Sequence, residues 1–216
     1  MEPHYGKPQD YEAYSQDWSS IEEVFELALD YVRTYHASSF FHYRDIKLGD
    51  LKPWNFWSEY VWTVYASGFN AKVLTPKFQQ IMKIVGSWDA PQIWDIMWIR
   101  LSTVIANKRK ANAVAKCRDL MCRLGWDEFR EKYCGSAEAL KALPFIGGIT
   151  CFHLARNIGI DCVKPDLHLM RLANHFQFES PETMCDFLSE LFEERVGVVD
   201  FVLWAYCAAF GTLEIR

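Results

Sequence analysis

LPFIGGITCFHLARNIGIDCVKPDLHLMRL, residues 143–172, is the stretch that decides how this chain is read. Gly147 and Gly148 sit between apolar residues and interrupt a helical pattern. Glycine permits backbone angles closed to other residues and lets a second backbone or a ligand come close. The pattern predicts a tight turn over 143–150 and a helix over about 148–157. The first N–H groups of that helix, on Gly148, Ile149 and Thr150, lack carbonyl partners, and the helix dipole adds positive potential there. Such an end is a docking point for phosphate. Pro165 opens another helix to about residue 176, with Asp166 in its first turn, where the dipole favours an ionised carboxylate. Taken singly, the glycine pair also reads as a plain connector, and Asp166 as a plain first-turn acid.

The 216 residues suffice for one large domain or two small lobes sharing a core. Half of them are hydrophobic, and nine Trp, ten Tyr and fifteen Phe supply bulky core material. No apolar run reaches the length needed to cross a bilayer, so no membrane partner is expected. The segment MEPHYGKPQDYEAYSQD is polar and acidic, unlike a secretory signal or a transit peptide. Residues 1–18 read as an acidic tail and 19–216 as the folded domain, cytoplasmic and monomeric. Seven cysteines include no C-x-x-C pair and match no zinc spacing. They read as reduced, mostly buried thiols, and with six scattered histidines they argue against a zinc enzyme.

The net charge of −5 is unevenly spread. Residues 1–30 hold eight acids and one lysine, so the rest of the chain is slightly basic. Over 100–132, nine Lys and Arg face four acids. That run reads either as a solvated helix face or as a phosphate-facing stripe.

The apolar spacing predicts helix almost throughout. Helices are expected over 19–36, over 54–67 ending at Gly68, from Thr75-Pro76 to Gly86, and from Pro91 to about Ile105. Others follow over 107–124, 136–142, 148–157, from Pro165 to about Phe176, from Ser180-Pro181 to about Arg195, and over 198–210. No alternating strand pattern of useful length occurs, and no internal repeat. The aromatic helix WNFWSEYVWTVYASGFNAK supplies Trp54, Trp57, Trp62 and Tyr65 as stacking platforms for a base, or as core.

The pair of motifs says more than either alone. A hairpin of the form L-P-x-[IV]-G-x-x-T, about three helical turns, then D-x-H-h-x-R-h (h apolar) resembles the helix-hairpin-helix DNA glycosylases of the endonuclease III type. The resemblance covers about residues 54–211. It takes in Asn107-Lys108-Arg109-Lys110-Ala111 through Leu124, which looks like the family's lysine-alanine helix. It implies an all-α fold of two lobes with an active-site cleft between them. It also implies double-stranded DNA as partner, gripped through main-chain N–H groups of the hairpin (Phe145, Ile146, Gly147, Gly148, Ile149, Thr150), in some members with a monovalent cation. Asp166 would be the catalytic carboxylate, Lys164, Arg171, Lys108 and Lys110 would face phosphate, and Phe69 or Asn70 would plug the gap left by a flipped base. His168 matches a position that looks structural.

Departures from the family pattern refine this. Members that also cut the strand carry a Schiff-base lysine where this chain has Ile149, so a monofunctional enzyme is implied. The usual glycine after the proline is Phe145, which bears on the turn geometry. The four C-terminal cysteines of the iron–sulfur members are missing, and only Cys185 and Cys207 stand in that region, so no cluster, metal or other cofactor for the chemistry is expected. The tryptophan-rich front half with KPDLHL is similar to a divergent branch, the α-glutamyl/putrescinyl thymine pyrophosphorylases, linked to phage pyrimidine hypermodification. The leading expectation is excision of a modified base, plausibly a hypermodified phage pyrimidine such as glucosylated hydroxymethylcytosine, in anti-phage defence. The alternatives are a transferase, in which an amine or amino acid displaces pyrophosphate from activated hydroxymethyluracil, and a non-catalytic DNA-binding module.

Overall fold

The computed structural model describes residues 19–69, 71–90 and 94–210. The acidic tail 1–18, Asn70, Pro91 and Gly211 therefore lie outside the described residues. Twelve α-helices and no strand occur among the described residues. They are α1 (Ile21–Tyr35), α2 (Ala37–Asp45), α3 (Pro53–Ala66), α4 (Ala71–Val85), α5 (Trp94–Ser102), α6 (Lys108–Leu124), α7 (Trp126–Tyr133), α8 (Ala137–Leu140), α9 (Thr150–Asn157), α10 (Leu167–His175), α11 (Pro181–Phe192) and α12 (Val196–Phe210). The all-α class read from the periodicity holds. No helix of the described residues is long and apolar enough to cross a membrane.

The chain divides into two compact units. The first runs from Lys47 to Ile160. Its centre is α3, which packs against α4, α6 and α9. Tyr60 to Tyr65 are all buried, covering every face of the helix's C-terminal half, and Phe56 and Trp57 are buried before them. A helix apolar all round belongs in a core rather than at a surface. The second unit holds α1 and α2 together with α10, α11 and α12. Its centre is α12, buried from Gly197 to Leu203 and again from Ala205 to Cys207, packed against α1, α2, α10 and α11.

Local signals set most boundaries. Ser20, Asn107, Ser136 and Ser180 each accept a backbone N–H as N-caps, and Ser180 completes a capping box with Thr183. Two expectations are corrected. Thr75-Pro76 does not open α4, which starts at Ala71 with Pro76 inside it. Proline there forfeits one N–H bond, and burial of Leu74, Phe78, Ile81 and Val85 along one stripe outweighs that loss. Pro165 does not begin α10 either; Asp166 is its N-cap. Helices α2 and α7 had no counterpart in the sequence reading. Only Phe40 and Tyr43 of α2 are buried, and it has no side-chain cap, so its sequence carries little periodic signal.

Gly159 closes the first unit. It follows α9 with φ 91°, and a Cβ there would lie 2.7 Å from the Leu48 nitrogen and 2.8 Å from the Lys47 carbonyl carbon. Both the backbone angle and the contact require glycine. Gly159→Ala is expected to cost about 3 kcal/mol, read from urea midpoints; a loss under about 0.5 kcal/mol would show that the 47–48 backbone yields freely.

Candidate functional site

The hairpin joins α8 to α9 in the first unit. Ile146 N–H donates to the Leu143 carbonyl at 3.2 Å, which closes the turn. Phe145 takes φ 69°, in the left-handed region, where a residue with a Cβ pays about 1–2 kcal/mol. The position where the resembled family has glycine is thus one whose backbone takes the shape glycine favours. Tyr60 braces the turn from α3. Its hydroxyl lies 2.7 Å from the Pro144 carbonyl and 3.1 Å from that of Ala113, and burial pushes its pKa well up.

The donors sort themselves along this loop. The Gly147 N–H is taken by the Thr150 hydroxyl at 2.7 Å. The N–H groups of Gly148, Ile149 and Thr150 carry no hydrogen bond among the described residues. Gly147, Gly148 and Ile149 are exposed, Ile149 by 60%. An anion there meets open N–H groups at the N-terminus of α9. Ile146 is corrected as a contact residue: its side chain is in the core and its N–H is spent.

The basic run 100–132 divides into two sets. Arg100, Lys108, Arg109, Lys116, Arg123 and Lys132 are exposed, and Arg130 is half-buried. Lys110 and Arg118 are buried. The Lys110 amine donates to the carbonyls of Tyr65 at 2.8 Å and Ser67 at 2.6 Å. It also lies 4.5 Å from the Phe69 ring centre and 5.8 Å from that of Phe145. The expectation that Lys110 faces phosphate is corrected: its charge caps the end of α3. Arg118 likewise bonds the Val85 carbonyl at the end of α4.

The aromatic candidates also separate. Trp57, Trp62 and Tyr65 are at most 1% exposed. Trp57 stacks on Tyr60 and donates to the Gly86 carbonyl, and Trp62 meets Phe78 edge-on. Their reading as base-stacking platforms is corrected, because no face is free. Trp54 is 50% exposed and Phe69 38%. They sit at opposite ends of α3, roughly 20 Å apart by helix rise, so they do not share one pocket.

Asp166 belongs to the second unit. Its Oδ1 accepts the N–H groups of His168 at 3.0 Å and Leu169 at 3.1 Å, capping α10. Its Oδ2 has no hydrogen bond among the described residues and faces the Lys164 amine at 3.8 Å. That amine lies 5.7 Å from the Trp204 ring centre. Arg171, Leu167 and Met170 are exposed nearby on α10. The Asp166 charge raises the Cys207 thiol further, to about 12, on top of its burial.

One residue at this site went unread in the sequence. Asp200, 1% exposed on α12, accepts the Lys164 N–H at 2.9 Å and so fixes the segment leading to Asp166. The available signal was a lone acid inside the apolar run VGVVDFVLWAYCAAF. In comparisons with family models, curated proteins and solved structures, nothing matches the chain.

Two measurements check this geometry. Phe145→Gly and Phe145→Ala both lose the ring, but only alanine retains the left-handed cost. The glycine variant should be the more stable by about 1 kcal/mol; equal stability would place Phe145 outside that region. Burial also lowers the Lys110 amine from 10.5 to about 8. Between those values the unfolded chain binds more protons at this site than the folded chain, so stability rises with pH. Denaturation at pH 8 to 10.5 should show the wild type gaining on Lys110→Met; a flat or falling difference would contradict the burial of a charged amine.

Proposed function

We propose that this chain is a monofunctional DNA glycosylase that extrudes a modified base from duplex DNA and cleaves its N-glycosidic bond, leaving an abasic site. The state of Asp166 carries the reading: one oxygen is fixed by two backbone N–H groups, and the other has no hydrogen bond among the described residues. As that bond breaks, positive charge develops on the deoxyribose while the base leaves with the bonding electrons. A carboxylate held in one orientation opposes that charge and aligns water for attack at the sugar carbon. A base must leave the stack before it can be reached.

Further support comes from the hairpin in the other unit. Its open N–H groups suit a phosphodiester oxygen, and Lys108 is an exposed cation on α6. Ile149 offers no amine where strand-cutting members of the resembled family carry their Schiff-base lysine, and water is taken as the nucleophile, with the Lys164 amine beside Asp166 as the protein nitrogen to be tested. Resemblance to the phage-associated branch favours a hypermodified pyrimidine such as glucosylated hydroxymethylcytosine, with anti-phage defence as the setting.

The test uses duplexes carrying normal, hydroxymethylated and glucosylated bases, treated with hot alkali after incubation. Alkali-labile sites are expected with a modified base and are expected to vanish with Asp166→Asn. Asparagine caps a helix as well as aspartate does, so this variant should keep its stability while Asp166→Ala loses about 1 kcal/mol. Borohydride should trap no protein–DNA adduct. Undiminished cleavage by Asp166→Asn would remove Asp166 from the chemistry, and bases that gain mass when an amine is supplied would replace hydrolysis by transfer.

A further inference from the structure

We propose that Lys110 is a positioning residue that pins Phe69 beside the hairpin, so that the loop after α3 and the turn at 143–150 meet DNA as one rigid surface, with Phe69 filling the space of an extruded base. The DNA-binding half of this statement rests on the glycosylase reading; the clamp rests on geometry within the first unit alone.

Four groups from two separate stretches of chain, 65–69 and the hairpin, converge on one amine. Two are carbonyls at the end of α3, those of Tyr65 and Ser67. The other two are the rings of Phe69, in the following loop, and of Phe145, in the hairpin. No carboxylate pairs with the amine among the described residues. A cation shielded from water then depends on carbonyl oxygens and π faces for its stabilisation. The dependence runs both ways: the amine fixes the rings as the rings stabilise the amine. Gly68 turns the chain with φ 72°, and the Phe69 N–H returns to the Ala66 carbonyl at 2.9 Å. Phe69 is therefore held at its base by backbone and at its ring by the cation, yet remains 38% exposed. An aromatic side chain held in place while partly solvated is suited to enter a base stack, because little conformational entropy remains to be lost.

The full chain is titrated with two labelled duplexes of one sequence, intact or with a single abasic position. Phe69→Ala should weaken binding to the abasic duplex about tenfold and leave the intact duplex within about twofold. In a Lys110→Met background the same substitution should matter less than about threefold, because the ring is no longer held. Equal tenfold losses in both backgrounds would overturn the proposal, since the two residues would then act independently. Amide hydrogen exchange reads the clamp without DNA. Lys110→Met also removes a cap from α3, so Phe69→Leu, at a part-exposed position, is measured beside it. Both should speed exchange at Ser67 and Phe69 while the amides of Tyr60 to Val64 keep their protection; unchanged Ser67 and Phe69 amides would refute the clamp. If the parent protein binds neither duplex, the glycosylase reading fails, and exchange alone decides whether Lys110 pins the loop.

Discussion

From Tyr60 to Tyr65 α3 is buried on every side, so carbonyls at its end need partners from within the protein, and the first unit is arranged around that constraint. The Tyr65 carbonyl is buried and that of Ser67 partly so, and an unmet buried acceptor costs about 1–3 kcal/mol. Lys110 meets them. The same solution recurs wherever a helix or turn ends close to packed neighbours. Arg118 reaches Val85 at the end of α4, Arg130 reaches Leu48, and in the second unit Arg195 reaches Tyr43 and Ile46 past α2. At the three helix ends the cation satisfies orphan carbonyls and opposes the negative end of a dipole, whereas the Leu48 carbonyl also accepts the Leu51 N–H. Glu194 uses the converse arrangement, a nearly buried carboxylate facing Arg33 and Arg44.

That arrangement changes what the basic run means. Nine positive residues between 100 and 132 read either as a solvated face or as a stripe facing phosphate, and two of them, Lys110 and Arg118, point inward and hold helix ends. What remains for a polyanion is six exposed cations, four of them on α6, and the open N–H groups of the hairpin add a second set of donors. Backbone donors have an advantage in this role. They are already ordered by the turn, whereas a lysine must give up rotamer freedom to contact a phosphate. The turn is ordered at some cost, because Phe145 holds a left-handed angle. Its ring, drawn toward the Lys110 amine, offers a physical reason for a phenylalanine at a position where glycine would be free of strain.

Period and punctuation were legible in the sequence; destination was not. Capping residues such as Asn107 and Ser180 and the stripes of α1 and α6 follow from local chemistry, so those helices begin and end near where the spacing put them. Helix α2 escaped because two buried side chains make no period, and α4 was started late because a proline was read as a first residue. The aromatic residues show the limit most clearly. Trp54, Trp57, Trp62, Tyr65 and Phe69 look alike along the chain. Which are core and which are partly open depends on α4, α6 and α9 closing over α3, and no local window contains that. Lys110 and Lys108 differ by two positions and by nearly everything else: roughly 200° of helical rotation turns one into the core and leaves the other in water.

Asp166 caps α10 and still keeps an oxygen for chemistry. A carboxylate has two oxygens. The cap uses only Oδ1, and it uses it twice, through the N–H groups of His168 and Leu169. That contact holds Oδ1 in place at the N-terminus of α10. Oδ2 is left with Lys164 as its charged neighbour, at a separation longer than a hydrogen bond. Lys164 is itself held through its backbone by Asp200 from the centre of the unit. A carboxylate that only capped would not require a buried acid to set the segment before it. The order of restraint, from Asp200 to Lys164 to Asp166, is what would be required if the direction of the second oxygen mattered.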